Sequence, residues 1–177
     1  METKKEKIVS VIQEKIIHAS IESLKKEGLK FSVDMLAENL KISKKTIYKY
    51  FPNKEALSRA IYERYYDNLE EEIQSVFLES KNRTQKLLFI YYDSHRMVNK
   101  DIFNKYKLND VIYRYALKRH FHIWEKLLES VSIEQSEDEI SALKIIIDGS
   151  LKELCIHDSN PAFVIERLVQ TICSYKF

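Results

Sequence analysis

The sequence predicts an all-α protein, either one medium domain or a small head on a larger body. Three observations predict this. The 177 residues include only two Gly and two Pro, and closely spaced strands need turn residues that this chain lacks. Apolar residues recur at three- and four-residue spacing in segment after segment. Hydrophobic residues make up 45% of the chain, enough to bury a sizeable core.

The first helix is expected over Lys4–Glu27, with Ile8, Val11 or Ile12, Ile16, Ala19 and Leu24 as its stripe. Lys25 and Lys26 suit its last turn and Gly28 its end. His18 reads as a surface or packing histidine.

Residues 31–57, FSVDMLAENLKISKKTIYKYFPNKEAL, read as two short helices joined by a tight turn, then a hard stop. Ser32 can cap the first helix by accepting a free first-turn N–H. Val33, Leu36, Ala37 and Leu40 form its apolar face. Lys41-Ile42 makes the turn. Ser43 caps the second helix, and Ile47 and Phe51 are its buried side. Pro52 has no N–H and disfavours helix at Phe51, and Asn53 caps the next helix. Lys44, Lys45, Thr46, Tyr48, Lys49 and Tyr50 then point outward. Cations, a hydroxyl and two phenols on one short helix suit a groove lined with phosphates and base edges.

A long helix is expected from Lys54 to about residue 79. Its run Glu70-Glu71-Glu72 reads as a solvated face. Thr84 can cap a fifth helix reaching about residue 99, with Leu87, Leu88, Tyr91, Tyr92, His95 and Val98 inward. Residues 101–107 suggest a short helix or turn carrying Phe103 and Tyr106. A more aromatic helix is expected over about 109–131, with Ile112, Tyr113, Ala116, His120, Phe121, Trp124 and Leu127 on its apolar side. Residues 132–136 look loop-like. The last two helices, Glu137–Ile156 and about 160–175, are the most apolar. Ile145-Ile146-Ile147 spreads over more than one face, so burial on two sides is expected. Asn160 and Pro161 suit the N-cap and first position of the final helix.

Net charge is uneven along the chain. Residues 1–54 hold 12 Lys/Arg against 7 Asp/Glu, a net of +5; residues 55–177 hold 17 against 20, a net of −3. A basic head on a mildly acidic body fits a nucleic-acid reader with a separate partner or ligand domain. No apolar run approaches a membrane span, and METKKEKIVS lacks a signal-peptide core. Two cysteines without metal or redox spacing fit a reducing compartment. A cytoplasmic location is expected.

Catalytic chemistry finds no support. There is no phosphate loop, dinucleotide glycine pattern or GxSxG elbow. His120 and His122 point in different directions on a helix, as do Cys155 and His157, and no metal or cofactor is expected. Phe89, Tyr92, Phe103, Tyr106, Tyr113, Phe121 and Trp124 have two readings. They fill a core, or they line a cavity for an apolar or aromatic small molecule with His95 or His120 as polar anchor.

The stretch from Ser43 onward resembles the recognition element of the TetR-like (tetracycline-repressor-like) transcriptional regulators. Their pattern is a small polar residue, two variable residues, Thr/Ser, Leu/Ile, Tyr, any residue, Tyr/His, Phe, and Lys-Glu shortly after. Ser43, Lys44-Lys45, Thr46, Ile47, Tyr48, Lys49, Tyr50, Phe51, Lys54 and Glu55 match it, and the resemblance covers roughly residues 4–57. One departure is Lys41, where the family usually has Gly; a left-handed backbone there would carry strain.

The resemblance implies a helix-turn-helix DNA-binding domain at 1–57 and a helical ligand-binding and dimerisation domain at 58–177. It implies a homodimeric repressor of a palindromic operator, released by a small effector. Base or groove contacts would come from Lys44, Lys45, Thr46 and Tyr48 on a helix opened by Ser43. Phosphate contacts would come from Tyr48, Tyr50 and Lys54, with Ser32 on the phosphate side and Lys49 as an addition. Two rivals are a coregulator or activator acting through a protein partner, and a small helical enzyme. The two C-terminal helices carry more apolar surface than one monomer core needs and suit pairing with a second copy. Ile140, Leu143, Ile147, Gly149, Leu151, Leu154, Ile165, Leu168, Val169 and Ile172 are the expected dimer residues.

Overall fold

The computed structural model of the chain describes residues 4–27, 31–78, 81–98, 110–131, 136–156 and 160–174. Helices form where caps and apolar spacing place them: α1 Lys4–Glu27, α2 Val33–Asn39, α3 Lys44–Tyr50, α4 Lys54–Leu78, α5 Arg83–Met97, α6 Asp110–Val131, α7 Glu137–Ile156 and α8 Pro161–Ser174. No strand occurs among the described residues. Gly28 and the expected short helix at 101–107, including Phe103, lie outside them.

The residues divide into two compact units. The first comprises Met1–Asn68 and Met97–Ala116. In it α1, α2 and α3 pack on one another, burying Ile16, Ile17, Leu24, Leu36, Ile47 and Phe51. Of the two alternatives in the expected stripe, Ile12 is half-buried and Val11 is 49% exposed, and Ile17 is buried in addition. His18 is exposed. Along α4 the buried positions Leu57, Ile61, Tyr65, Leu69, Ile73 and Val76 recur at three- and four-residue steps. Tyr62 donates from its hydroxyl to the carbonyl of Met97 at 3.0 Å, which satisfies a polar group inside the core. Arg64 and Glu14 pair on the surface.

The second unit comprises Leu69–Arg96 and Leu117–Phe177. Its core holds Leu87, Leu88, Tyr91, Ile123, Leu127, Leu151 and Ile165. Helix α5 begins one residue before the expected cap. Asn82 takes a left-handed φ of 58°, which Asn tolerates. Thr84 lies inside the helix, and its hydroxyl donates to the carbonyl of Ser130 at 3.4 Å while accepting from Ser130 Oγ at 3.2 Å. Ser136 and Glu139 form a reciprocal cap at the start of α7. The Ser136 amide donates to Glu139 Oε2 at 2.8 Å, and the Glu139 amide donates to Ser136 Oγ at 3.4 Å. The hydrogen bonds from Ser136 hold the Glu139 carboxyl below its ordinary range. Asn160 caps α8 by accepting from the amides of Ala162 and Phe163.

Two faces differ from expectation. Phe121 is 50% exposed, because it comes one residue after buried His120 and is turned about 100° from it. Helix α7 buries Leu143, Ile147, Leu151 and Leu154 but leaves Ile145 and Ile146 at 72% and 55% exposure. Within one chain only one of its two apolar sides is covered.

Candidate nucleic-acid interface

The head's outward helix is fixed at both ends. Ser32 Oγ accepts the Met35 amide at 3.2 Å and starts α2. At the other end of α2 the Lys41 amide donates to the Glu38 carbonyl at 3.0 Å and the Ile42 amide to the Ala37 carbonyl at 2.9 Å. This is the paired C-terminal cap that requires a left-handed residue, and Lys41 supplies it with φ of 54°. Ser43 then caps α3, accepting the Thr46 amide at 3.0 Å. Ile47, fully buried, anchors α3 from below. Phe51, extended at φ −129°, ends it. Asn53 Oδ1 accepts the Ala56 amide at 2.8 Å and starts α4.

These anchors leave Lys44, Lys45, Lys49 and Lys54 exposed, and Thr46, Tyr48 and Tyr50 half-buried. The Thr46 hydroxyl shares a hydrogen bond with Ser43 Oγ at 2.9 Å. Lys49 Nζ lies 6.0 Å from the Tyr50 ring centroid. Lys44 Nζ pairs with Asp34 Oδ1 at 2.6 Å, and that hydrogen bond raises the Lys44 pKa. Sequence reasoning missed Asp34 because the pairing crosses from α2 to α3, and nothing in residue spacing announces it. A short rigid helix presenting lysines, a hydroxyl and phenols can contact phosphates and base edges together.

Residues 16–61 match the family model described as bacterial regulatory proteins, tetR family. Two solved structures resemble the chain over nearly its whole length. One is a transcriptional regulator of the TetR/AcrR family from Thermobifida fusca YX-ER1, 18% identical, with a TM-score of 0.55, covering 93% of this chain and 98% of the other. The second is a TetR-family transcriptional regulator from Bordetella parapertussis 12822, 16% identical, with a TM-score of 0.59, covering 93% and 95%. Residues 16–61 are thus similar to the tetR family, and the two solved structures share the fold of the chain. No curated protein matches its sequence.

Among its described residues no helix is long and apolar enough to cross a membrane. No group of three His, Cys, Asp or Glu among them is placed to hold a metal.

Of the expected effector residues, His95, His120, Phe121 and Trp124 fall in one cluster of the second unit. Tyr91 stacks on His120 at 4.4 Å between centroids and 15° between planes. His95 lies 5.7 Å from His120, and Trp124 5.8 Å from Tyr91. Ser94 Oγ shares a hydrogen bond with His120 Nδ1 at 3.0 Å. Burial and the neighbouring His95 push the His120 imidazole down to about 3, and burial lowers His95 too. His95 Nδ1 is buried with no hydrogen-bond partner among the described residues. Tyr92 is buried with Arg96 5.9 Å from its ring. Tyr113 is half-buried and belongs to the first unit.

The cluster also contains groups the sequence did not reveal. Lys144 Nζ donates to Asp148 Oδ2 and to the Tyr91 hydroxyl, both at 2.9 Å. Tyr91 in turn donates to Asp148 Oδ1 at 2.7 Å. Of the expected dimer residues, Leu143, Ile147, Leu151, Leu154, Ile165 and Ile172 are buried in the chain's own core. Ile140, Leu168 and Val169 are half-buried, and Gly149 is exposed with open space where a Cβ would stand.

Proposed function

We propose that this TetR-like chain is a cytoplasmic, homodimeric repressor that reads a palindromic operator and is released by a small apolar or aromatic effector. The observation that carries the reading is α3, a helix capped by Ser43 and anchored by Ile47 that presents Lys44, Lys45, Thr46 and Tyr48 outward. In this reading residues 1–57 form the DNA-binding domain and 58–177 the ligand-binding and dimerisation domain. Helix α3 lies in the major groove, while Tyr48, Tyr50, Lys49, Lys54 and Ser32 meet the backbone.

A single head reads half a site. Two heads must stand about 34–36 Å apart, or a multiple, to reach successive major grooves on one side of the duplex. Ile145, Ile146 and Phe163, at 72%, 55% and 55% exposure, support pairing of α7 and α8 with a second copy. Gly149 fits close approach there. Helix α4 supports coupling to the effector. Its 25 residues run about 37 Å, from the Lys54 phosphate contact into residues of the second unit. An effector releases DNA only if it binds the non-binding shape more tightly. Selecting bound fragments from a genomic DNA library tests the reading. A recovered palindrome supports it, and fragments with no shared sequence contradict it.

A further inference from the structure

Lys144 sits in an unusual place for a lysine on a bundle helix. Its ammonium lies 4.7 Å from the ring centroid of Trp124 and 5.6 Å from that of Phe121. Its other neighbours are the Asp148 carboxylate and the Tyr91 hydroxyl, each at 2.9 Å. Ring faces attract a cation through their quadrupoles, and the carboxylate adds a charge. The shell is rigid where the occupant is not. Tyr91 is fully buried and Trp124 is 7% exposed, whereas lysine hangs on a flexible four-carbon stem. The box is also open on one side, since the Lys144 and Asp148 side chains are 29% and 34% exposed and Phe121 is half exposed.

From this arrangement we infer that Tyr91, Phe121, Trp124 and Asp148 form a binding site for an organic ammonium group, which Lys144 fills until a ligand amine displaces it. A carboxylate-bearing ligand fits less well. It would have to approach Asp148, which is held by two hydrogen bonds to Tyr91 and Lys144. An ammonium has to displace the movable Lys144 cation. The inference rests on the proposed effector response for its consequence, because it gives that apolar or aromatic effector a cationic end. Displacing Lys144 removes one of the two hydrogen bonds from α7 to Tyr91 of α5 and leaves the one to Asp148, which is a means of changing the bundle.

The test is a titration of the full-length protein with tetramethylammonium chloride against sodium chloride at equal ionic strength. The readout is the fluorescence of Trp124, the sole tryptophan. The wild type should give a saturable change with the organic cation and none with sodium. Lys144→Ala empties the box and should bind about tenfold more tightly, the scale of one desolvated cation–ring contact. Lys144→Met refills it with an apolar end and should bind more weakly than Lys144→Ala. Asp148→Asn in the Lys144→Ala background should abolish the response. Identical titrations with both salts in the wild type would overturn the inference, and so would equal affinity in the wild type and Lys144→Ala. No DNA is needed for this titration. A protein that binds tetramethylammonium but no DNA would refute the repressor reading alone, and a protein that selects an operator but ignores the cation would refute the box alone.

Discussion

Acid should destabilise this protein through His120, and the amount can be worked out. His120 is 5% exposed, stacked on Tyr91 and bonded to Ser94. Burial, then His95, then Lys144 lower its pKa to about 3, and Asp148 opposes them. Unfolded, an imidazole titrates near 6.5. Between those values the unfolded chain holds a proton that the folded chain does not, so stability rises with pH there. The stabilisation is fully present above about 6.5 and is lost as pH falls toward about 3. The limiting slope is about 1.4 kcal/mol per pH unit. From pH 7 to pH 5 the loss from this one group is about 2 kcal/mol. That figure needs only a folded pKa well below 5 and is insensitive to its exact value. His95 is lowered as well and acts in the same direction. The assay is urea unfolding at pH 7, 6 and 5, with protein concentration held constant because assembly shifts apparent stability. His120→Asn should be less stable than the wild type at pH 7, and the gap should shrink by about 2 kcal/mol at pH 5. Equal pH slopes for wild type and His120→Asn would refute the buried, neutral imidazole.

Three further outcomes are expected from named residues. Lys41→Gly removes a side chain from a left-handed position and should stabilise the protein by about 1 kcal/mol in urea unfolding; no gain would mean the turn carries no strain. Asp34→Asn releases Lys44 from its 2.6 Å pair and should strengthen binding most to sequences that keep the base pair Lys44 reads, widening the discrimination at that position, whereas unchanged discrimination would show that Lys44 reaches DNA regardless of Asp34. Ile146→Glu places a charge on the exposed side of α7 and should turn a dimer into a monomer by light scattering without lowering helix content; a dimer that persists would put the interface elsewhere.

The head is legible in the sequence because its determinants are local. Ser32, Ser43 and Asn53 cap its helices through amides three residues away, and such bonds can be read from spacing alone. The strain at Lys41 is legible for the same reason. The cap formed by Ser136 and Glu139 is equally local, but its S-x-x-E signal is hidden at the end of a polar run that looks like loop. Thr84 misleads because its hydroxyl answers to Ser130, 46 residues away. Facing is harder to read than existence. His120 is buried and Phe121 half exposed, and one residue on a helix decides between them. The Lys144 box is invisible in the sequence, since residues from α5, α6 and α7 meet there and each alone looks like an ordinary core aromatic or surface charge. Six residues expected at a dimer interface prove to be core of the single chain. Hydrophobic spacing reports burial and does not say which chain provides the cover.

The central claim is that α3 reads DNA sequence. The most direct test compares binding of the wild type, Lys44→Ala, Thr46→Ala and Lys54→Ala to a selected operator and to a set of its single-base variants, at several salt concentrations. Lys54→Ala should weaken binding to every sequence alike and lower the salt slope by about one unit, as loss of a phosphate contact does. Lys44→Ala and Thr46→Ala should instead change preference at particular base pairs, by about 1–3 kcal/mol where a good base contact is lost. Equal losses on every sequence for Lys44→Ala and Thr46→Ala would contradict the account.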